Sequence, residues 1–323
     1  MKTRRPRTPG PGARRGVALL MTLLIVGLLS ASVLSYMRMT HLEAKMADNT
    51  YAFVQAEVLA HAGLKGAMTL LAMDDQSQDS LNDIWANFAQ YAALAAGLFD
   101  EGTFTGQIED LSGRFNPNTI IDENGLLVQA RLDQFLRLFD LLGYDSAPVP
   151  SILDWIDPDD EIRPDGAENQ YYQTLADPYP CPNETIRALG QLRLIRGLDT
   201  QVLYGTEERP ALLQYLTVHS DGQININTAG ETVLMSLDDD LTQGVVQEII
   251  DRRTSQPFTK LDELGEISGL SPQAFARITG RLAVSSSHFQ IRVEGRFREA
   301  TVLITAIVSR NKNGVTLIYY RSG

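Results

Sequence analysis

Residues Val17–Met37 (VALLMTLLIVGLLSASVLSYM) run for 21 residues without a charged side chain, and about 20 apolar residues in a helix cross the hydrocarbon core of a bilayer. Gly27 is the only helix-weakening residue in the run, and no proline occurs between Pro11 and Pro117. Lys2, Arg4, Arg5, Arg7, Arg14 and Arg15 precede it with no acid among them, and few positive charges follow closely. The positive-inside rule then places residues 1–16 in the cytoplasm and everything beyond about Met37 across the membrane. A cleaved secretory signal fits less well, because the run is long and no small-x-small site follows it. A plain signal-anchor is the simplest reading of this segment taken alone.

The apolar pattern continues past the membrane. Leu42, Met46, Phe53, Ala56, Ala60 and Leu64 recur at mostly helical spacings among Glu43, Lys45, Asp48 and Asn49, which predicts one helix from about Val17 to about Ala72. Beyond it the chain is long enough, at 323 residues and 44% hydrophobic, to bury a sizeable core. The net charge of −12 hides a division: the leader carries +6, which leaves −18 for the rest. A body of that sign repels phosphates and argues against a nucleic-acid partner. Cys181 is the one cysteine, so an intrachain disulfide is excluded.

Strand-like segments sit at the two ends of the body. Thr103–Asp110 (TFTGQIED) leads into the turn-forming DLSGRFN of Asp110–Asn116. Phe289–Arg298, Thr301–Val308 and Val315–Tyr320 alternate or are rich in strand formers, and Asn313-Gly314 signals a hairpin between the last two. The stretch between reads as helical: Leu126–Leu142, Glu184–Leu189, Pro210–Leu216, Glu231–Leu237, Gln243–Arg253, Lys260–Glu266 and Pro272–Thr279. The expected fold is therefore α+β. Its parts are a leader (1–16), a membrane-spanning half-helix (17–37), a further stem with helices (38–102), the first part of an antiparallel sheet (103–123), a helical insertion (124–285) and the last strands (286–323).

Two constellations call for a choice. Asp154, Asp157, Asp159, Asp160, Glu161, Asp165, Glu168 and Asn169 crowd into 16 residues, and oxygen donors at that density suit Ca²⁺, which takes 6–8 of them. The spacing is not that of an EF-hand, since Ile162 stands where that loop needs glycine. The alternative is a solvated acidic turn shaped by Pro158 and Pro164. Ile224–Ala229 (ININTA), followed by helices, resembles a helix-hairpin-helix DNA-binding module. Its turn, however, is Ser236-Leu237-Asp238-Asp239-Asp240, three acids where a phosphate has to approach, and Arg252 and Arg253 do not reverse that. Catalysis finds no support: His41, His61, His219 and His288 are scattered, and no HExxH, GxSxG, Walker or CxxC motif occurs. An anchored hydrolase with an unrecognised carboxylate pair remains a rival only in principle. Trp85 and Trp155 read as core or interface anchors.

The charged leader, the glycine at Arg14-Arg15-Gly16-Val17, the apolar half-helix and the amphipathic half-helix together resemble the type IV prepilin family. That resemblance implies cleavage by a prepilin peptidase between Gly16 and Val17 and methylation of the new Val17 amino terminus. It also implies a pilin stem packed on a pseudopilin sheet. One position departs: Met21 stands at the fifth mature residue, where the family carries a Glu that pairs with a neighbour's terminal charge. A buried carboxylate is tolerable only with such a partner, and a subunit at a filament tip has no neighbour beyond it. The chain is in this respect similar to the GspK family, the minor pseudopilins of type II secretion that lack this Glu. The interrupted-sheet plan, DLSGRFN, DWID (Asp154–Asp157), GAENQY (Gly166–Tyr171) and ININTA resemble that family too. The resemblance implies a non-catalytic inner-membrane protein with a periplasmic body. Its implied partners at a pseudopilus tip are the minor pseudopilins GspI and GspJ, together with GspH and the major pseudopilin GspG. It also implies calcium in the helical insertion, for which Asp154, Asp157, Asp159, Asp160, Glu168 and Asn169 are the expected ligands. The rival from another class is a membrane-anchored DNA-uptake receptor that uses the hairpin-like region.

Overall fold

The computed structural model describes residues 12–95, 99 and 101–323; residues 1–11 of the basic leader lie outside them. One helix, α1 (Gly12–Met73), runs for 62 residues, about 90 Å at 1.5 Å per residue. It starts upstream of the Gly16–Val17 bond and ends one residue past the expected Ala72. From Val17 to Met39 every side chain is exposed, and this is the one helix among the described residues long and apolar enough to cross a membrane. From Ala52 one side becomes buried, through Ala52, Ala56, Leu59, Ala60, Leu64, Ala67 and Leu71. After α2 (Phe88–Ala95) comes β1 (Thr103–Asp110). The chain then makes its excursion through α3 (Gln129–Leu141), α4 (Val149–Ile156), α5 (Asn169–Tyr172), α6 (Thr200–Tyr204), β2 (Ile224–Asn225), α7 (Glu231–Ser236), α8 (Gln243–Ser255), α9 (Pro272–Ile278) and β3 (Leu282–Ala283). It returns for β4 (His288–Phe297), β5 (Ala300–Asn311) and β6 (Gly314–Ser322).

The antiparallel sheet has the order β1-β4-β5-β6, so the two strands flanking the excursion are direct neighbours, from Thr103 opposite Arg296 to Asp110 opposite Phe289. Period-2 alternation sends Phe289, Ile291, Val293, Gly295 and Phe297 to the stem side and leaves Arg292 and Arg296 exposed. The helix lies unusually close. A Cβ on Gly295 would stand 2.2 Å from the carbonyl oxygen of Ala56 and 2.5 Å from the nitrogen of Ala60. Gly63 approaches Val293 and Phe104 in the same way.

The insertion holds two cores. The first gathers Phe115, Phe135, Leu138, Phe139, Ile152, Trp155, Tyr172 and Leu216. The second gathers Ile224, Ile226, Leu234, Val246, Ile249, Phe258, Leu264 and Leu282. The boundary expected at 123/124 consequently moves. The Asp110 side chain accepts from the Ser112 amide and turns the chain into a 3₁₀ turn at Leu111–Gly113, and Phe115, Ile120 and Ile121 already belong to the first core. The sheet's first part ends at Asp110. Glu184–Leu189 forms no helix, because side chains take its amides: Ile186 donates to Asn118, and Arg187 and Ala188 donate to Gln191. Pro210–Leu216 and Lys260–Glu266 keep only 3₁₀ turns, at Leu212–Gln214 and Leu261–Glu266.

A buried polar junction joins these parts. Arg310 spans both carboxylate oxygens of Asp79 and reaches Asp74 at 3.2 Å. Ser286 donates its amide to Asp79 (2.7 Å) and its hydroxyl to Asp110 (2.6 Å). Asn225 donates to the Asp79 carbonyl, to Asp110 and to Ser286 at 2.8–3.2 Å. Burial raises the Asp110 carboxyl and pushes that of Asp79 up to about 7, against the pull of Arg310. An unfolded aspartate releases its proton near 3.8, so between those values the folded chain holds a proton that the unfolded chain has lost. Stability contributed by that proton is therefore present at low pH and lost as pH rises towards 7. For the detergent-solubilised chain in chelator, raising the pH from about 5 to 8 should lower stability on the order of 2 kcal/mol. Asp79→Asn should reduce that slope without abolishing it, because other buried carboxyls raised in the same direction, Glu168 among them, contribute the remainder, and thermal melts across the range measure it. An unchanged slope in the variant would refute the assignment to Asp79.

Candidate metal centre

The helix α4 carries Asp154 on its last turn, and Asp157 follows as its C-cap, with its amide bonded to Leu153. Three residues apart, the two carboxylates share one face. They also sit at the negative end of the helix, where anions are disfavoured and a cation is welcome. The chain leaves through Pro158 and comes back over them by a turn. The Gly166 amide bonds to the Arg163 carbonyl at 2.8 Å, with Pro164 at the second position and Asp165 at φ 63°. That turn returns Glu168 to the pair, so that oxygens of Asp154, Asp157 and Glu168 lie within 4.8 Å of one another. All three residues are buried. Asp157 Oδ1 and both Glu168 oxygens have no hydrogen-bond partner.

Arg163 is the counter-charge. Its Nη1 donates to Asp154 at 2.9 Å and to Asp157, and its amide faces both Asp154 oxygens at 3.4 Å. One guanidinium thus serves two of the three carboxylates and leaves Glu168 without a counter-charge in contact. Burial, then Asp154 and Asp157, push Glu168 up to about 7, and burial raises Asp157 as well. Cys181 borders the group: its thiol donates to the Asp154 carbonyl at 3.7 Å, and burial pushes it up to about 12.

Of the six expected ligands, Asp154, Asp157 and Glu168 come together and are buried, and the other three are exposed. Asp159 is exposed and accepts from the Glu161 amide (2.8 Å), and Asp160 is exposed and accepts from Asn183 (3.0 Å). Asn169 is exposed and accepts from the Cys181 amide (3.3 Å). Their oxygens shape the loop. Sequence reasoning missed Arg163 and read Gly166 only as the start of GAENQY, although the run Arg163-Pro164-Asp165-Gly166 is a turn signature. The donor set that does converge is all oxygen and strongly anionic, which suits a hard cation such as Ca²⁺ and not a soft one.

The hairpin-like region is committed to internal contacts. Asn227 bonds the amide and carbonyl of Phe258 at 2.8 and 2.9 Å. Arg253 is buried, with Nη1 on the carbonyls of Ile226 and Ala229 at 2.7 Å. Arg252 is held by Glu263 and Glu266. In the acidic turn Asp238 is bidentate with Arg277, which also reaches Asp240, while Arg137 holds Asp239. Trp85 and Trp155 are buried anchors, each edge-on at 5.2 Å, to Phe289 and Tyr172 respectively.

A membrane-length helix whose far half lies on an antiparallel sheet, with that sheet opened by a helical insertion, defines a membrane-anchored, pilin-like subunit. Two family profiles, both described as type II secretion system (T2SS), protein K, match residues 113–221 and 224–285, the segments that carry the two insertion cores. The chain belongs to the protein K family of the type II secretion system. It is 25% identical over 317 residues to type II secretion system protein K of Pseudomonas aeruginosa, covering 93% of this chain and 90% of the relative. It is 30% identical over 231 residues to that of Klebsiella pneumoniae (67% and 66%). It is 29% identical over 306 residues to that of Pectobacterium carotovorum subsp. carotovorum (88% and 88%). A chain of the GspK-GspI-GspJ complex from the type 2 secretion system of enterotoxigenic Escherichia coli shares the fold, with TM-score 0.60 and 17% identity, covering 88% of this chain and 99% of that one.

The turn over Asp154 leaves no room for a side chain at Gly166, where a Cβ would stand 2.0 Å from Asp154 Oδ2. Gly166→Ala should therefore displace the carboxylate and lower stability by about 2 kcal/mol, read as a drop in Tm.

Proposed function

We propose that this chain is a minor pseudopilin that caps the periplasmic pseudopilus of a type II secretion system and takes part in its assembly. The observation that carries the reading is the pairing of an exposed apolar half-stem with a head enlarged by two extra cores. An all-round apolar helix needs lipid or partner stems around it. A head of this size packs beside neighbours only where one side is free, at an end of a filament. Met21, in place of a carboxylate that would need a partner beyond it, agrees with that end. The related E. coli complex supports GspI and GspJ as partners; GspH and GspG enter only through the resemblance to the family. The body stands in the periplasm, the anchor in the inner membrane, and a prepilin peptidase cuts between Gly16 and Val17 and methylates Val17. No catalytic role enters this reading.

The insertion holds a calcium ion through Asp154, Asp157 and Glu168. The unpartnered oxygens of Asp157 and Glu168 support this. The ion supplies positive charge at an anionic helix end and no reaction chemistry.

Coexpression with a prepilin peptidase should remove 16 residues, read by mass spectrometry of the intact chain. The processed chain should copurify with GspI and GspJ and leave duplex DNA unshifted at physiological salt. A DNA shift without a protein complex would reverse the reading in favour of a DNA receptor. Calcium at a hundredfold excess over its Kd should stabilise the full-length chain by about 2.7 kcal/mol, and Asp157→Ala should abolish the difference between calcium and chelator melts.

A further inference from the structure

We infer that Arg163 is a tethered competitor for the cation held by Asp154, Asp157 and Glu168, and that it keeps weakly bound monovalent ions out of the site at ordinary salt. The inference rests on the calcium reading above and adds a residue that opposes it. The Arg163 guanidinium lies against Asp154 and Asp157 from the solvent side, with its side chain 28% exposed while those of the two aspartates are 0% and 1%. An ion coordinated by the same oxygens at calcium distances of about 2.4 Å takes the space of the Nη1 donor, so the two exclude each other. Arg163 is free to leave without disturbing the turn. Its backbone keeps the Gly166 bond, and the exposed acids Asp159, Asp160 and Glu161 lie on the loop just before it.

Charge decides which ion wins. Exchanging the guanidinium for Na⁺ or K⁺ leaves the site's net charge unchanged and forfeits the charge-assisted hydrogen bonds. A divalent ion adds one positive charge among three buried carboxylates and offsets that loss. A competitor tied to the site is present at high effective concentration, so calcium affinity is held below what the carboxylates alone would give.

The test uses the full-length chain in detergent, stripped of metal, with calcium binding followed by calorimetry. Arg163→Gln should tighten calcium about tenfold, the equivalent of one lost charge-assisted hydrogen bond. Sodium chloride should then weaken calcium binding to the variant more than choline chloride of equal ionic strength does, whereas wild type should not distinguish the two salts. Arg163→Lys keeps a tethered cation and should retain both the lower affinity and the indifference to sodium, which guards against a Gln variant that folds poorly. Calcium affinity unchanged or weaker in Arg163→Gln, or no sodium effect beyond choline, overturns the inference while leaving the calcium site standing. Binding seen only in the variant upholds the competitor and revises the calcium reading for wild type. Binding in neither overturns both.

Discussion

The relative placement of everything beyond the stem depends on the contact of Arg310 with Asp79 and the hydrogen bonds around it. Five segments meet there: the loop after the stem, the end of β1, the start of the second core, the return to the sheet, and β5. A long insertion between neighbouring strands must have its ends brought together, and the entropic cost of that rises only with the logarithm of its length. Asp110 stands where the chain leaves the sheet, Ser286 just before it returns, and the Ser286 hydroxyl closes that neck on the Asp110 carboxylate. Charges buried this deeply contribute little net stability, because desolvation offsets their attraction. What they supply is a requirement that all five segments arrive together, since any one missing leaves a charge or a dipole unpaired.

The body's negative charge is managed in two ways. Asp238, Asp239 and Asp240 face two arginines brought from separate helices, Arg137 on α3 and Arg277 on α9, so the turn becomes a brace between the two insertion cores. Asp154, Asp157 and Glu168 face one arginine and keep three oxygens unpartnered. Two acidic turns that look alike in the sequence therefore differ in the supply of cations around them. One is complete and the other leaves oxygens without a partner.

The stem and the strands were legible because their signals are local. Apolar runs and alternation survive without knowledge of what they pack on, and Thr103–Asp110 was bounded to the residue. In the insertion, long amphipathic segments were legible, Gln243–Arg253 falling two residues short of the helix end at Ser255, and short ones were not where side chains of Asn118 and Gln191 capture backbone amides from a distance. The resemblance of ININTA to a DNA-binding module came from the same internal architecture, with Asn227 pinning Phe258, and said nothing about an outer surface. At the candidate metal centre the density of acids was visible, but which ones converge depends on how the turn at Pro164 and Asp165 aims Glu168. That is set by a backbone angle and not by composition.

The seam between the stem and the sheet has a mechanical meaning. Where Ala56 and Ala60 meet Gly295 the backbones themselves are in contact, and Gly63 admits the Val293 and Phe104 side chains against the helix, which leaves little room to tilt or shear. Buried contacts run from Ala52 to Leu71, about 30 Å of helix, and a slip along the axis would drive Leu59 or Leu64 into space now filled by alanine and glycine. Load applied to the apolar end of α1 is accordingly carried into the sheet as displacement of a single stiff body. From β1 and β4 it passes to the insertion across the one short neck closed by Ser286 on Asp110, so the head is pushed and turned with its rod, without lag.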